Sequence, residues 1–116
     1  MEKIKTTVLN CRVDCVNSLQ ALEMAQKAIE EKRNFHIITI NPEMIMNAQK
    51  VPEFLNIINN SDLNIMDGVG VRLALKLQKI NQEQIRGVDF SRSLVELASK
   101  NNYKIGFIGA KEEVIQ

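Results

Sequence analysis

The stretch Phe35-His36-Ile37-Ile38-Thr39-Ile40-Asn41-Pro42-Glu43 decides the fold. Its first six residues form a short, β-rich apolar run, long enough for a buried strand. Asn41-Pro42-Glu43 then reads as a helix start, with Asn as cap, Pro at the first helical position and Glu in the first turn. A buried strand running directly into a helix is one β–α unit, and the pattern recurs downstream. Val51-Pro52 breaks the first helix and starts another through Phe54, Leu55, Ile57 and Ile58. Asn59-Asn60-Ser61-Asp62 is a turn cluster, and Leu63 to Met66 is a second strand ending in Asp67-Gly68-Val69-Gly70. A helix through Val71, Leu73, Ala74 and Leu77 follows.

Outward from this centre the alternation continues. Residues 4–15 read as one or two short strands, and Asn17 or Ser18 can cap the helix after them. From Leu19 to Lys32 the apolar positions Leu22, Ala25 and Ile29 fall at helical spacing, with Ala28 beside them. Phe90 to Lys100 is a further amphipathic helix, Tyr103 to Gly109 a third strand, and Ala110 to Gln116 the beginning of a helix. Strands alternating with helices predict an α/β fold: a Rossmann-like, mostly parallel sheet with flanking helices. The chain has 116 residues, one domain or part of one. Its last strand and incipient helix make half a β–α unit, so the expectation is residues 1–116 as the N-terminal part of a single α/β domain, truncated at the C-terminus. An exposed sheet edge there predicts self-association into a homo-oligomer or aggregate.

Composition narrows the chemistry. Lys plus Arg is 15 and Asp plus Glu is 14, a net charge of +1, which argues against nucleic-acid binding by bulk charge. With no Trp, four Phe and one Tyr, stacking platforms are scarce. Cys11, Cys15 and the single His36 fall short of the four ligands of a structural zinc site, and no metal or cofactor is expected. The cysteines read as reduced thiols, and His36, inside an apolar run, reads as packed. Neither a signal peptide nor a membrane span is visible, which predicts a soluble or peripheral cytoplasmic protein.

In open α/β sheets ligands bind beyond the carboxyl ends of the strands. Three polar clusters fall there: Thr39 to Glu43, Asp67 to Gly70, and Gly109-Ala110. Asp67 can take a proton from a substrate hydroxyl or cap a helix, and position alone leaves both open. Gly68 and Gly70 let the backbone turn tightly and a substrate approach. They also begin a dinucleotide fingerprint, with Asp89 at the distance of a ribose-binding acid, but Leu73 replaces its third glycine. Arg86 and Asp89 suit a phosphate and a sugar hydroxyl, or else a surface arginine and a helix cap. Thr39 can bond a substrate oxygen or its strand neighbours, Asn41 reads first as a cap, and Glu43 matches a helix dipole. The internal methionines Met24, Met44, Met46 and Met66 read as gap fillers.

Taken together, Thr39-Ile40-Asn41-Pro42-Glu43, Ser61 to Val71 and Arg86-Gly87-Val88-Asp89-Phe90 resemble the WecG/TagA/CpsF family of bacterial glycosyltransferases in order and spacing. The Pro52-Glu53-Phe54 helix between the first two fits, as does Phe107-Ile108-Gly109-Ala110, although Ala110 stands where a second glycine is common. The resemblance implies an inverting transfer of N-acetylmannosamine or its uronic acid. The donor is a UDP-sugar and the acceptor N-acetylglucosamine on undecaprenyl diphosphate, for teichoic acid or surface polysaccharide synthesis. It implies Asp67 as general base, Thr39 in the catalytic pocket, and Asn41, Arg86 and Asp89 at the substrates; Gly68, Gly70 and Gly109 are expected there from their places at the strand ends. It also implies peripheral contact with the inner face of the cell membrane through a C-terminal segment, and family members that are longer, so that the 116-residue chain alone has little or no activity. The competing readings are a non-catalytic nucleotide-binding α/β module and an α/β interaction domain.

Overall fold

The computed structural model describes residues 4–66 and 85–109. The chain opens with a hairpin of β1 (Ile4–Val8) and β2 (Cys11–Cys15), antiparallel, with Ile4 opposite Cys15 and Val8 opposite Cys11. Two residues, Leu9 and Asn10, make the turn, at φ 48° and 69°. A two-residue turn left-handed at both positions matches strand twist, but a leucine there is unusual. Tertiary bonds hold it: Gln49 donates to the Leu9 carbonyl (2.8 Å) and Asn59 to that of Asn10 (3.0 Å).

Helix α1 (Ser18–Glu30) follows, capped by Asn17, whose side chain accepts the Gln20 amide (2.8 Å) while Gln20 accepts that of Asn17 (2.9 Å). Then come β3 (Ile37–Ile40), α2 (Pro42–Lys50), α3 (Pro52–Asn59), β4 (Leu63–Met66) and α4 (Gly87–Asn101). β3 and β4 pair in parallel, Ile37 with Leu63 through Ile40 with Met66. Side chains alternate across them. Ile38, Ile40 and Met66 meet Ile45 and Ala48 of α2, Phe54, Leu55 and Ile58 of α3, and the apolar face of the hairpin. Ile37, Leu63 and Ile65 meet Ala21 and Leu22 of α1 and Phe90 and Leu94 of α4. Helices therefore cover both faces, as the α/β reading requires.

The hairpin joins this core along a polar seam. β2 packs beside β4, and side chains, not a backbone ladder, bridge them. Asp14, 1% exposed, accepts the backbone amide of Asn64 (2.8 Å), and its other oxygen lies 3.3 Å from Arg12 Nε. Asn64, fully buried, donates to the carbonyls of Arg12 (3.0 Å) and Ile58 (2.8 Å) and accepts from the Ser61 hydroxyl. The Arg12 guanidinium donates to the carbonyls of Asn59 (2.9 Å) and Ser61 (2.8 Å).

Three expectations change. The buried stripe of α1 is Ala21, Ala25 and Ala28, whereas Ile29 is 44% exposed, because small residues let the helix lie close to the sheet. Phe35 and His36 precede β3, and His36 is exposed, not packed; its backbone is tied by Asp62 (2.7 Å) and Leu63 (3.1 Å) while its ring faces outward. Tyr103 to Gly109 is not a strand. The Tyr103 amide closes α4 on Ala98 (2.9 Å), Asn102 turns left-handed at φ 59°, and residues 104–109 are exposed with no ladder partner among the described residues. An apolar β-branched run becomes a strand only where an edge accepts its hydrogen bonds. The α/β fold class stands: among the described residues the parallel part is the β3–β4 pair, and the N-terminal strands form an antiparallel hairpin beside it. The helices expected through Val71–Leu77 and over 110–116 lie outside the described residues.

Cys11 and Cys15 are free thiols at the two ends of β2, roughly 13 Å apart at strand rise, too far for a disulfide or one shared metal. Burial raises both thiol pKa values above the ordinary 9.0, and the charge of Asp14 adds to the effect at Cys15. Among the described residues no cluster of three or more His, Cys, Asp or Glu could hold a metal, and no helix is long and apolar enough to cross a membrane.

Two outcomes follow from the packing. Asp14→Ala leaves Arg12 and the Asn64 amide without their buried partner and should cost about 3–5 kcal/mol in urea unfolding. Glu31→Ala, which removes the exposed pair with Arg33, should cost about 1 kcal/mol or less. Equal losses would mean that the seam is not structural. For the thiols, unfolded cysteines ionise near pH 9.0 while the folded ones resist. Their contribution to stability is thus fully present below pH 9.0 and lost as the pH rises above it. The fall in urea midpoint from pH 8 to 10 should be smaller in Cys11→Ala/Cys15→Ala than in the parent; an equal fall would reject the assignment.

Candidate active site at the carboxyl ends of the parallel strands

Thr39 is the penultimate residue of β3, half-buried, in register with Ile65. Asn41 follows the strand end and serves as N-cap of α2: its Oδ1 accepts the Met44 amide (2.9 Å) and its carbonyl the Ile45 amide (3.2 Å). Pro42 fixes the first turn and Glu43 places a carboxylate there. Because a backbone N–H must meet oxygen, the cap fixes the amide orientation of Asn41. Its Nδ2 group, with no bond among the described residues, remains a donor for a ligand oxygen at the strand end.

The Ile85 amide donates to the Met66 carbonyl (3.1 Å), the last described residue of β4. This bond brings the start of α4 to the same end of the sheet as Asn41. Arg86 is the N-cap by backbone geometry (φ −76°, ψ 128°); its carbonyl accepts the Phe90 amide (2.9 Å) and its side chain makes no cap bond. Its exposed guanidinium has no ion pair among the described residues. A free cation at a helix N-terminus beside the strand ends suits an anionic ligand. Asp89 is exposed in the first turn of α4, where it complements the helix dipole; it is not the cap that the alternative reading allowed.

Thr39, Asn41, Arg86 and Asp89 are therefore carried by the ends of adjacent strands or the helices that start beside them. Asp67, Gly68 and Gly70 lie outside the described residues. Gly109 is left-handed at φ +103°, with nothing within 4 Å of an added Cβ, and it ends the exposed segment instead of a paired strand.

A cavity of about 580 Å³ lies at the other end of the sheet, against residues that precede β3 and β4. Its lining includes Lys5, Lys27, Arg33 and Phe35, which no motif connected. Tertiary packing brings them together from three separate segments. The seam residues Arg12, Asp14 and Asn64 were also missed, although polar residues inside otherwise apolar strands were a visible signal.

The family model of the glycosyl transferase WecG/TagA/CpsF family matches residues 6–116. The chain belongs to this family. Similar curated proteins carry the name N-acetylglucosaminyldiphosphoundecaprenol N-acetyl-beta-D-mannosaminyltransferase. One from Staphylococcus aureus (strain NCTC 8325) is 27% identical over 115 residues, covering 97% of this chain and 45% of the relative. One from Bacillus spizizenii is 31% identical over 88 residues, covering 75% of this chain and 34% of the relative. The chain spans less than half the length of these curated relatives.

Asn41 separates a structural from a ligand role. Asn41→Ala should lower stability by about 0.5–2 kcal/mol through loss of the α2 cap, whereas Asn41→Ser should retain most of it. If Asn41 Nδ2 also bonds a ligand, Asn41→Ser keeps stability yet weakens nucleotide binding by isothermal titration. Unchanged binding would leave Asn41 a cap alone.

Proposed function

We propose that residues 1–116 are the N-terminal part of a single glycosyltransferase domain. It transfers N-acetylmannosamine, or its uronic acid, from a UDP-sugar to N-acetylglucosamine on undecaprenyl diphosphate, with inversion. One observation carries the site assignment: the Ile85–Met66 hydrogen bond sets Arg86 at the strand end where Asn41 caps α2. Family membership supports the transferase class, and the relatives' printed names supply the acceptor and the sugar.

In this reading the acceptor hydroxyl attacks the anomeric carbon from the face opposite UDP. Asp67, which follows Met66 directly in the sequence, takes the hydroxyl proton. The C–O bond to the diphosphate breaks as the new glycosidic bond forms, and the electron pair leaves with UDP. Arg86 and the amides at the starts of α2 and α4 meet the charge developing on the diphosphate. Thr39 and the Nδ2 group of Asn41 bond sugar oxygens, Asp89 accepts from a hydroxyl, and Gly68 and Gly70, lacking side chains, allow close approach. The protein works in the cytoplasm against the inner face of the membrane, where its lipid-linked acceptor is held.

The test is a transfer assay with UDP-N-acetylmannosamine and a lipid-diphosphate N-acetylglucosamine acceptor, run on the 116-residue chain and on the longest reading frame that encodes it. In whichever of these shows transfer, Asp67→Asn should lower kcat about 10²–10⁴-fold and leave donor affinity within a few-fold, because the amide keeps the shape and loses the basicity. Arg86→Ala should weaken UDP binding and lower kcat, with partial recovery in Arg86→Lys. Near-normal turnover in Asp67→Asn would reject the assignment of the base. NAD binding without transfer would favour the nucleotide-binding module.

A further inference from the structure

The cavity at the amino end of the parallel strands is built from parts that the transfer reaction does not use. The register of the hairpin places Lys5 opposite Asp14 and Thr7 opposite Arg12, so Lys5 and Arg12 stand on one face of it. From α1 come Glu23, Met24 and Lys27; Arg33 and Phe35 precede β3; Ser61 and Asp62 precede β4. A volume of about 580 Å³ falls within the range of small-molecule sites, roughly 300–1,000 Å³. β3 and β4 are four residues long, so on the order of 13 Å separates this end of the sheet from the candidate active site.

Its lining carries more cations than carboxylates, with Asp14 paired to Arg12 and Glu31 paired to Arg33 just beside it. Four cations, Lys5, Arg12, Lys27 and Arg33, share the lining with two carboxylates, Glu23 and Asp62, in a chain whose net charge is only +1. Arg12 is committed to Asp14 and to the Asn59 and Ser61 carbonyls. Asp62 is committed as well, accepting the His36 amide at 2.7 Å. Lys5 and Lys27 are exposed and have no ion pair among the described residues. Arg33, in an exposed contact with Glu31, lies over the half-buried Phe35 ring at 5.8 Å from its centroid. The cleft thus combines two free ammonium groups and a guanidinium with an apolar surface of Phe35 and Met24. Such a pairing recognises a molecule that is anionic at one end and apolar at the other.

We propose that this cleft binds a small phosphorylated organic molecule, its phosphate held by Lys5, Lys27 and Arg33 and its ring or apolar part resting on Phe35 and Met24. The site is separate from the one assigned to transfer and does not depend on that assignment.

The experiment is an amide-shift titration of the 116-residue chain with phenyl phosphate, and in parallel with inorganic phosphate. Phenyl phosphate should shift the amides around Lys5, Lys27, Arg33 and Phe35, saturate, and bind at least fivefold tighter than inorganic phosphate. Lys5→Ala/Lys27→Ala should weaken it at least tenfold, Lys27→Arg should retain it, and Lys104→Ala, which removes an exposed cation elsewhere, should leave it unchanged. The unliganded spectrum of each variant shows that it folds. Shifts confined to residues 39–44 and 85–90, no saturable shifts, or equal weakening by Lys104→Ala would overturn the proposal. So would binding to phosphatidylglycerol vesicles, lost in the double lysine variant, without any phenyl phosphate binding; these cations would then serve a lipid surface.

Discussion

A carboxylate that is 1% exposed needs partners, and Asp14 has them in the Asn64 amide and the Arg12 guanidinium. Much of the structure depends on that contact. β2 cannot extend the β3–β4 ladder, because side chains occupy the seam: Asn64 reaches the carbonyls of Arg12 and Ile58, and Arg12 reaches those of Asn59 and Ser61. The hairpin is thereby fastened both to a core strand and to the end of α3. Its apolar residues Val8, Cys11 and Val13 then close the core over Ile40 and Met66, the two residues from which the candidate site projects. A hydrophobic contact alone would leave the hairpin free to slide; paired polar groups fix its register, since any shift leaves several of them buried and unbonded.

The parallel pair also explains why the two candidate sites lie at opposite ends of the sheet. Parallel strands leave and enter the sheet at opposite ends, so helix starts gather at the carboxyl end and the incoming segments at the amino end. At the carboxyl end stand the cap of α2 and, through the Ile85–Met66 bond, the start of α4 with Arg86, which has no ion pair among the described residues. At the amino end the hairpin, α1 and the segments before β3 and β4 enclose the cationic cleft. The first arrangement offers oriented amides and one guanidinium, groups that would suit the proposed diphosphate; the second offers exposed ammonium groups beside an aromatic ring.

Local chemistry was legible in the sequence and long-range chemistry was not. Asn41-Pro42-Glu43 was readable as a helix start because a cap, a proline and a first-turn acid act within one turn. Val51-Pro52 was readable for the same reason, and Leu63–Met66 because a turn cluster and an apolar run delimit it locally. The Leu9-Asn10 turn was not, because Gln49 and Asn59 hold it from far along the chain. Tyr103 to Gly109 carried a strand pattern, yet composition cannot supply a pairing edge. His36 sits in an apolar run but precedes the strand, so the alternation that would bury it does not reach it. At the candidate site Thr39, Asn41, Arg86 and Asp89 were each nameable from their motifs; what sequence could not give was the backbone bond that draws Arg86 to the end of β4.

The proposed function requires the nucleotide to be held at the carboxyl ends of β3 and β4. An amide-shift titration with UDP tests it most directly, made in the Lys5→Ala/Lys27→Ala background so that the cationic cleft cannot contribute. Saturable shifts grouped at Thr39 to Met44 and Ile85 to Phe90, abolished by Arg86→Ala, are the expected result. Shifts grouped instead around Arg33, Phe35 and Asp62, or a response that Arg86→Ala leaves unchanged, would contradict it.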